Sequence, residues 1–271
     1  MTNIVITGCS TGIGLATAKY LRDRDIKVYP TARDPEDLQM LKDIGFDSAM
    51  LLDVTKADDI RAVIDEVMRR DAHIDVWFNN AGFGQVGMLE DITTDTLREQ
   101  FETNVFGLHE STRQIIPIMR EQGHGKIIQH SSVLGIISLS GRGAYNASKY
   151  AVEGLTDTLR LDLKGTDIYP VLLNTGPITS HFRENAIKKL QENVDIENSI
   201  FRDKYRATIE GSSRRVPFNE EADSVAKVVY EIVTTKRPKP RYYITKATYL
   251  LGYLKRVVSS SYLDKILLKI G

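Results

Sequence analysis

Thr7-Gly8-Cys9-Ser10-Thr11-Gly12-Ile13-Gly14 is the stretch whose reading decides the fold. A short β-branched run, Asn3-Ile4-Val5-Ile6, feeds into it, and a helical pattern, Leu15-Ala16-Thr17-Ala18-Lys19-Tyr20-Leu21, leaves it. Glycines at such a junction permit a tight turn. They also let an anionic group approach backbone N–H donors at the positive end of a helix. The alternative is a strand–helix turn that binds nothing; the strand before and helix after favour the anion-binding reading.

Working outward, short apolar runs at 3–7, 26–32, 48–52, 74–78, 125–131 and 168–173, with a last one near 241–244, read as strands. Amphipathic stretches at 12–24, 35–43, 57–70, 95–121, 145–164 and 222–235 read as helices. This alternation predicts an α/β protein, with a doubly wound parallel sheet of about seven strands and helices on both faces. No repeat or linker divides the chain, so residues 1–271 are expected to form one domain. The pattern breaks at 181–218, a charged excursion with Lys188-Lys189, Arg214-Arg215 and helices expected near 181–192 and 198–210. It reads as a substrate lid, because it follows a strand end, or as a solvated surface excursion.

Composition excludes several classes. Lys plus Arg (36) balance Asp plus Glu (36), leaving no excess charge for a phosphate backbone, so nucleic acid is not an expected partner. A single cysteine, Cys9, allows no internal disulfide and suits a reducing compartment. His73, His109, His124, His130 and His181 lack metal-ligand spacing, and no metal is expected. No secretory signal is expected ahead of the first strand, and no apolar run approaches the ~20 residues of a membrane span.

The spacing of the opening motif, T-G-x-x-x-G-x-G, resembles that of the short-chain dehydrogenase/reductase family. Further motifs follow in that family's order: Asn79-Asn80-Ala81-Gly82, Thr103-Asn104-Val105-Phe106-Gly107, Ser131-Ser132, Tyr145-Asn146-Ala147-Ser148-Lys149 and Gly176-Pro177-Ile178. Ser132 precedes Tyr145 by the family's thirteen positions. The resemblance implies a Rossmann fold and a nicotinamide cofactor held by Gly8, Ser10, Thr11, Gly12, Ile13, Gly14, Asp53, Val54, Asn80, Ala81, Gly82, Gly176, Ile178 and Ser180. Tyr145 and Lys149 are implied to touch it too. One departure is Thr175, where the family usually has proline before Gly176.

The end of the second strand bears on which dinucleotide binds. The acidic side chain that would accept from the NAD ribose is replaced by Ala32, and Arg33 follows with a guanidinium suited to a 2′-phosphate. NADP is therefore expected over NAD, with a surface pair between Arg33 and Asp34 as the alternative role. Asp53 is implied to meet the adenine, or else to cap the helix after it.

The resemblance implies that Tyr145 is the proton donor, Lys149 lowers its pKa and holds the nicotinamide ribose, Ser132 stabilises the substrate oxygen, and Asn104 extends the relay. One helical turn separates Tyr145 from Lys149 on a common face. Asn104 reads equally as a buried structural amide. The expected activity is NADP-dependent interconversion of carbonyl and alcohol on an apolar substrate, preferably aldehyde reduction. Hydroxysteroid or retinol oxidation is the enzyme alternative, and a cofactor-binding sensor without turnover the non-enzyme one.

The tail, 245–271, alternates Leu250, Leu251, Leu254, Val257 and Val258 with Lys246, Lys255 and Arg256. Such an amphipathic segment packs on its own domain, meets another subunit, or lies on an anionic membrane surface. It resembles the tails of aldehyde-reductase-like and retinol/hydroxysteroid-dehydrogenase-like members. A homodimer or homotetramer in the cytoplasm is expected, with peripheral membrane contact left open.

Overall fold

Neighbouring residues of the first strand serve opposite cores. In the structure, a computed structural model that describes residues 1–211 and 217–270, Ile4 and Ile6 join one apolar cluster while Val5 joins another. The same alternation separates Val76 and Phe78 from Trp77, and Ile128 from Ile127. Successive strand side chains point to opposite faces, so a sheet buried on both sides needs continuous apolar runs.

Seven strands form that sheet: β1 (Asn3–Ile6), β2 (Lys27–Ala32), β3 (Met50–Leu51), β4 (Val76–Asn79), β5 (Gly125–Ser132), β6 (Ile168–Thr175) and, last in the chain, the strand Arg241–Ile244. The order is β3-β2-β1-β4-β5-β6 followed by that last strand, all parallel. Connectivity reverses between β1 and β4, which opens a crevice at the carboxyl ends of the strands. Helices α1 (Gly12–Arg22) and α2 (Pro35–Asp43) cover one face; α3 (Ala57–Asp71) covers the other.

The predicted helix over 95–121 is three segments: α4 (Thr94–Phe101), a π-helical turn (Glu102–Gly107) and α5 (Leu108–Gln122). The wider turn is where Asn104 bonds Phe83 and Ser148, and its end packs tightly on Val54. Helix α6 (Gly143–Asp162) follows β5. After β6, the two-residue strand β7 (Ile178–Thr179) pairs in parallel with β8 (Glu220–Glu221), a ladder too short to show a pattern in the sequence. Between them lie α7 (Phe182–Asn193) and α8 (Arg202–Glu210). Leu190, Val194 and Tyr205 of this excursion pack with Val86, and the Tyr205 hydroxyl donates to Asp91 Oδ2 at 2.6 Å. Arg214 and Arg215 lie outside the described residues.

Helix α9 (Ala222–Thr234) leads to the last strand, β9, and then to α10 (Lys246–Val257) and α11 (Ser260–Leu267). Leu263 and Leu267 of α11, with Leu251 and Leu254 of α10, pack on Val133 and Ile137. The inner face of the tail is thus docked on its own chain.

Candidate active site

The glycine turn is shaped for close backbone approach. Gly8 has φ +70°, and a Cβ there would sit 2.9 Å from Ala81 Cα. A Cβ at Gly14 would lie 2.1 Å from the Gly8 carbonyl oxygen. The turn is fastened to the end of β4: Thr7 Oγ1 accepts from the N–H groups of Asn80 (3.0 Å) and Ala81 (2.9 Å). Asn80 Nδ2 donates to the carbonyls of Thr7 and Gly8, both at 2.9 Å. Ser180, beyond β7, comes within 3.3 Å of where a Gly12 side chain would begin.

Helix α1 starts from this turn with an uncompensated positive end. Its N-cap, Thr11, makes no side-chain capping bond, and its first turn holds no acidic residue. Free N–H donors, the helix dipole and the absence of a carboxylate fit the pyrophosphate of a dinucleotide. Cys9 is buried within the turn, and burial pushes its thiol up to about 12, which leaves it no nucleophilic character.

At the adenine end, Ala32 is buried and Arg33 exposed, with Arg33 Nη2 3.4 Å from Asp34 Oδ2. The guanidinium is thus engaged in an exposed pair. Asp53 Oδ1 accepts from the backbone N–H and hydroxyl of Thr55 at 3.0 and 2.7 Å. Burial pushes the Asp53 carboxyl up, but these bonds and the charges of Lys56 and Arg33 hold it below its usual range. Its local role in the turn before α3 is therefore present, beside any contact with a ligand.

Ser132 ends β5, and Tyr145, Lys149 and Glu153 recur every four residues along the buried face of α6. The Ser132 hydroxyl oxygen accepts from Leu134 N at 3.1 Å, and Ser132 pulls the Tyr145 phenol down by favouring its charged form. Burial nevertheless pushes Tyr145 up to about 12. Lys149 is not among the groups that set this shift: Lys149 Nζ donates to the His130 carbonyl at 2.7 Å and lies 5.6 Å from the Tyr145 ring centroid. Burial also brings Lys149 down to about 8, against the opposing pull of Glu153. The Phe182 ring lies over Tyr145, centroids 5.4 Å apart, and makes the wall above it apolar.

Asn104 is committed to structure on its side-chain face. Both Nδ2 protons are spent, on the Phe83 carbonyl (3.0 Å) and Ser148 Oγ (3.1 Å), and Oδ1 accepts from Phe83 N at 3.1 Å. It ties the loop after β4 to α6. A relay through this residue would have to use its backbone carbonyl.

Two groups at the site were not singled out by the sequence. His130 Nδ1 lies 3.0 Å from Asn80 Oδ1, and Nε2 lies 3.2 Å from Thr175 Oγ1. Because Asn80 Nδ2 already faces two carbonyls, its Oδ1 is an acceptor, and His130 must carry its proton on Nδ1. Burial, then the Lys149 charge, hold the ring down to about 3, so it is neutral and Nε2 accepts from the Thr175 hydroxyl. Glu153 is the second group. It accepts from Ser131 Oγ and Asn174 Nδ2 and pairs with Arg241 of β9. Its spacing from Lys149 was the available signal.

The carboxyl ends of β1, β4, β5 and β6 thus bring together the glycine turn, Asn80–Gly82, Ser132 and Gly176–Ser180, with Tyr145 and Lys149 beside Ser132. Arg33, Asp53 and Val54 lie further along the same sheet edge, at the ends of β2 and β3. The sequence profile of short chain dehydrogenases matches residues 2–191. The chain belongs to the short-chain dehydrogenase family. Its relatives include the oxidoreductase YbbO of Escherichia coli K12, 36% identical over 266 residues, or 98% of this chain and 93% of YbbO. A 3-ketodihydrosphingosine reductase of Bacteroides thetaiotaomicron is 34% identical over 201 residues, 73% of each chain. A short-chain dehydrogenase from Streptomyces avermitilis has the same fold, with TM-score 0.78 and 25% identity over 99% of this chain and 94% of that one. This short-chain dehydrogenase is an oxidoreductase of a family that uses NAD(P)(H) and small-molecule substrates.

Proposed function

We propose that the protein is an NADP(H)-dependent reductase of apolar aldehydes or ketones. The observation that carries the reading is the convergence of Ser132, Tyr145 and Lys149 beside the glycine cradle, under the apolar ring of Phe182. When bound, the reduced nicotinamide supplies hydride to the carbonyl carbon. Ser132 donates to the carbonyl oxygen and Tyr145 delivers the proton that makes the alcohol. Lys149 would hold the nicotinamide ribose and, as a cation near the phenol, would favour the charged form of Tyr145. The backbone carbonyl of Asn104 continues the relay.

NADP is preferred over NAD because Ala32 presents no carboxylate to repel a 2′-phosphate, and the exposed Arg33 is free to exchange its loose pair for one. The apolar substrate class is supported by Phe182 and by a relative named 3-ketodihydrosphingosine reductase. Residues 181–218 act as the lid within a single domain. Exposed Phe106, Leu155 and Leu161, on the π-helical turn and α6, support a homodimer or homotetramer. No described helix is long and apolar enough to cross a membrane; a cytoplasmic location is supported by the lone free Cys9, which suits a reducing compartment.

The test is loss of reduced-nicotinamide absorbance with NADPH and NADH, using aliphatic and aromatic aldehydes and a ketosteroid. Faster use of NADPH with aldehydes is expected, and Tyr145→Phe should bind NADPH yet turn over none. Turnover preserved in Tyr145→Phe would overturn the catalytic assignment. A preference for NADH would overturn the Arg33 reading.

A further inference from the structure

Helix α10 is used on one face only. Thr248 and Gly252 are buried against β9, and Leu251 and Leu254 enter the cluster around Val133 and Ile137. On the other face Tyr249, Leu250, Tyr253 and Val257 are each more than half exposed. Their spacing is helical, so they form one stripe. Beyond α11, Leu268 and Ile270 are exposed as well. An apolar stripe this contiguous on a water-soluble fold marks a contact surface.

Charge identifies the partner. The whole chain is neutral, yet residues 246–270 hold Lys246, Lys255, Arg256, Lys265 and Lys269 against Asp264 alone. Helix α10 contains no acidic residue. Two copies meeting through this face would bring two cationic helices together with no carboxylate on either to answer them. Tyrosines beside Lys and Arg, with an apolar body and a wet tip, are the side chains suited to a headgroup boundary.

We propose that the outer face of α10 docks on an anionic phospholipid surface, with Leu250, Tyr253 and Val257 entering the acyl boundary and Lys246 and Arg256 facing the headgroups. Helix α10 also borders a cavity next to the start of α6. The cavity, of about 790 Å³, is lined by Lys255 of α10, Phe201, Leu89 and Tyr150, and by Asn146 and Ala147, which follow Tyr145 directly on α6. An apolar carbonyl compound dissolved in the bilayer would meet the protein beside this cavity. That second element rests on the proposed function, whereas the docking itself does not.

The experiment is sedimentation of the full chain with phosphatidylcholine vesicles, and with vesicles containing about one third phosphatidylglycerol. Partitioning is expected to be at least about tenfold stronger on the anionic vesicles and to fall in molar salt. The doubles Leu250→Ser/Tyr253→Ser and Lys246→Glu/Arg256→Glu alter exposed positions only. Both should keep the circular dichroism spectrum, melting temperature and NADPH binding of the parent while losing sedimentation. Equal or absent binding to the two vesicle types, or binding untouched by both doubles, would overturn the proposal. So would a dimer that forms without lipid and dissociates in Leu250→Ser/Tyr253→Ser, because a second copy would then cover the face. If docking holds, a long-chain aldehyde in vesicles should be reduced faster by the parent than by either double, with a short soluble aldehyde reduced equally by all. Absence of any turnover would strike the reductase reading and leave the sedimentation result standing.

Discussion

His130 and Thr175 form a hydrogen bond, Nε2 to Oγ1 at 3.2 Å, directly before Gly176 in the loop that leaves β6. Through Nδ1 the same ring reaches Asn80, which grips the carbonyls of Thr7 and Gly8. A side-chain chain therefore spans the cofactor crevice from the glycine turn to the loop after β6. Thr175→Val keeps the shape but leaves Nε2 without a donor, at a cost of about 1–2 kcal/mol. A lower melting temperature and severalfold weaker NADPH binding are expected, with Thr175→Ser close to the parent. Fluorescence titration checks this; parental affinity in the Val variant would remove the bridge from cofactor binding.

The same imidazole makes stability depend on acid. Its folded pKa is about 3 against an ordinary 6.5, so between those values the unfolded chain binds the extra proton. Stability therefore rises with pH across that window and is lost as pH falls through it. Urea unfolding at a series of pH values should show a shallower acid loss in His130→Asn than in the parent. Carboxylates contribute equally to both, so the difference between the curves isolates His130.

Arg33 carries the cofactor prediction. A charge-assisted contact to a 2′-phosphate contributes about 1.5–3 kcal/mol, so Arg33→Ala should reduce kcat/KM for NADPH by about ten- to hundredfold. The value for NADH should stay within about twofold, since no 2′-phosphate is lost. Parallel losses with both dinucleotides would instead assign Arg33 to the turn with Asp34.

Glu153 lies one turn beyond Lys149, and its charge holds that lysine higher than burial alone would. Removing the charge should take the Lys149 pKa below about 8 and move the alkaline limb of the kcat/KM profile to lower pH. Arg241 is only partly buried and keeps Asp157 Oδ2 at 3.5 Å and Asn174 Oδ1 at 3.0 Å as partners, so the variant to use is Glu153→Gln. A merely structural Glu153 would alter melting temperature and leave the limb in place.

Much of this was legible because the motifs are local. The strand, glycine turn and helix at 3–22 occupy one window, and the four-residue step from Tyr145 to Lys149 is a helix-face relation that any reader of spacing recovers. His130 is different, since its partners stand 50 and 45 residues away and neither separation has a pattern. The π-helical turn was hidden for another reason: apolar periodicity over 95–121 tolerates one extra residue, so a single helix fitted as well. The charge state of Tyr145 depends on depth of burial, which no motif encodes. Lys149, four residues further on, therefore suggested a lowered phenol where burial raises it.

Gly176 sets a condition on how the enzyme can be cut or assembled. A side chain there would begin 2.1 Å from Thr245 Oγ1, so the loop after β6 is closed from outside by the junction of β9 and α10. The segment 2–191 contains Ser132, Tyr145 and Lys149, yet it lacks that backing strand and the Ile244 carbonyl to which Gly176 N bonds at 3.2 Å. An excised 2–191 fragment would be a complete set of reactive groups with one wall missing. During synthesis, too, a ribosome must carry the chain past Thr245 before the loop has anything to rest on, which makes completion of the crevice a late step in folding.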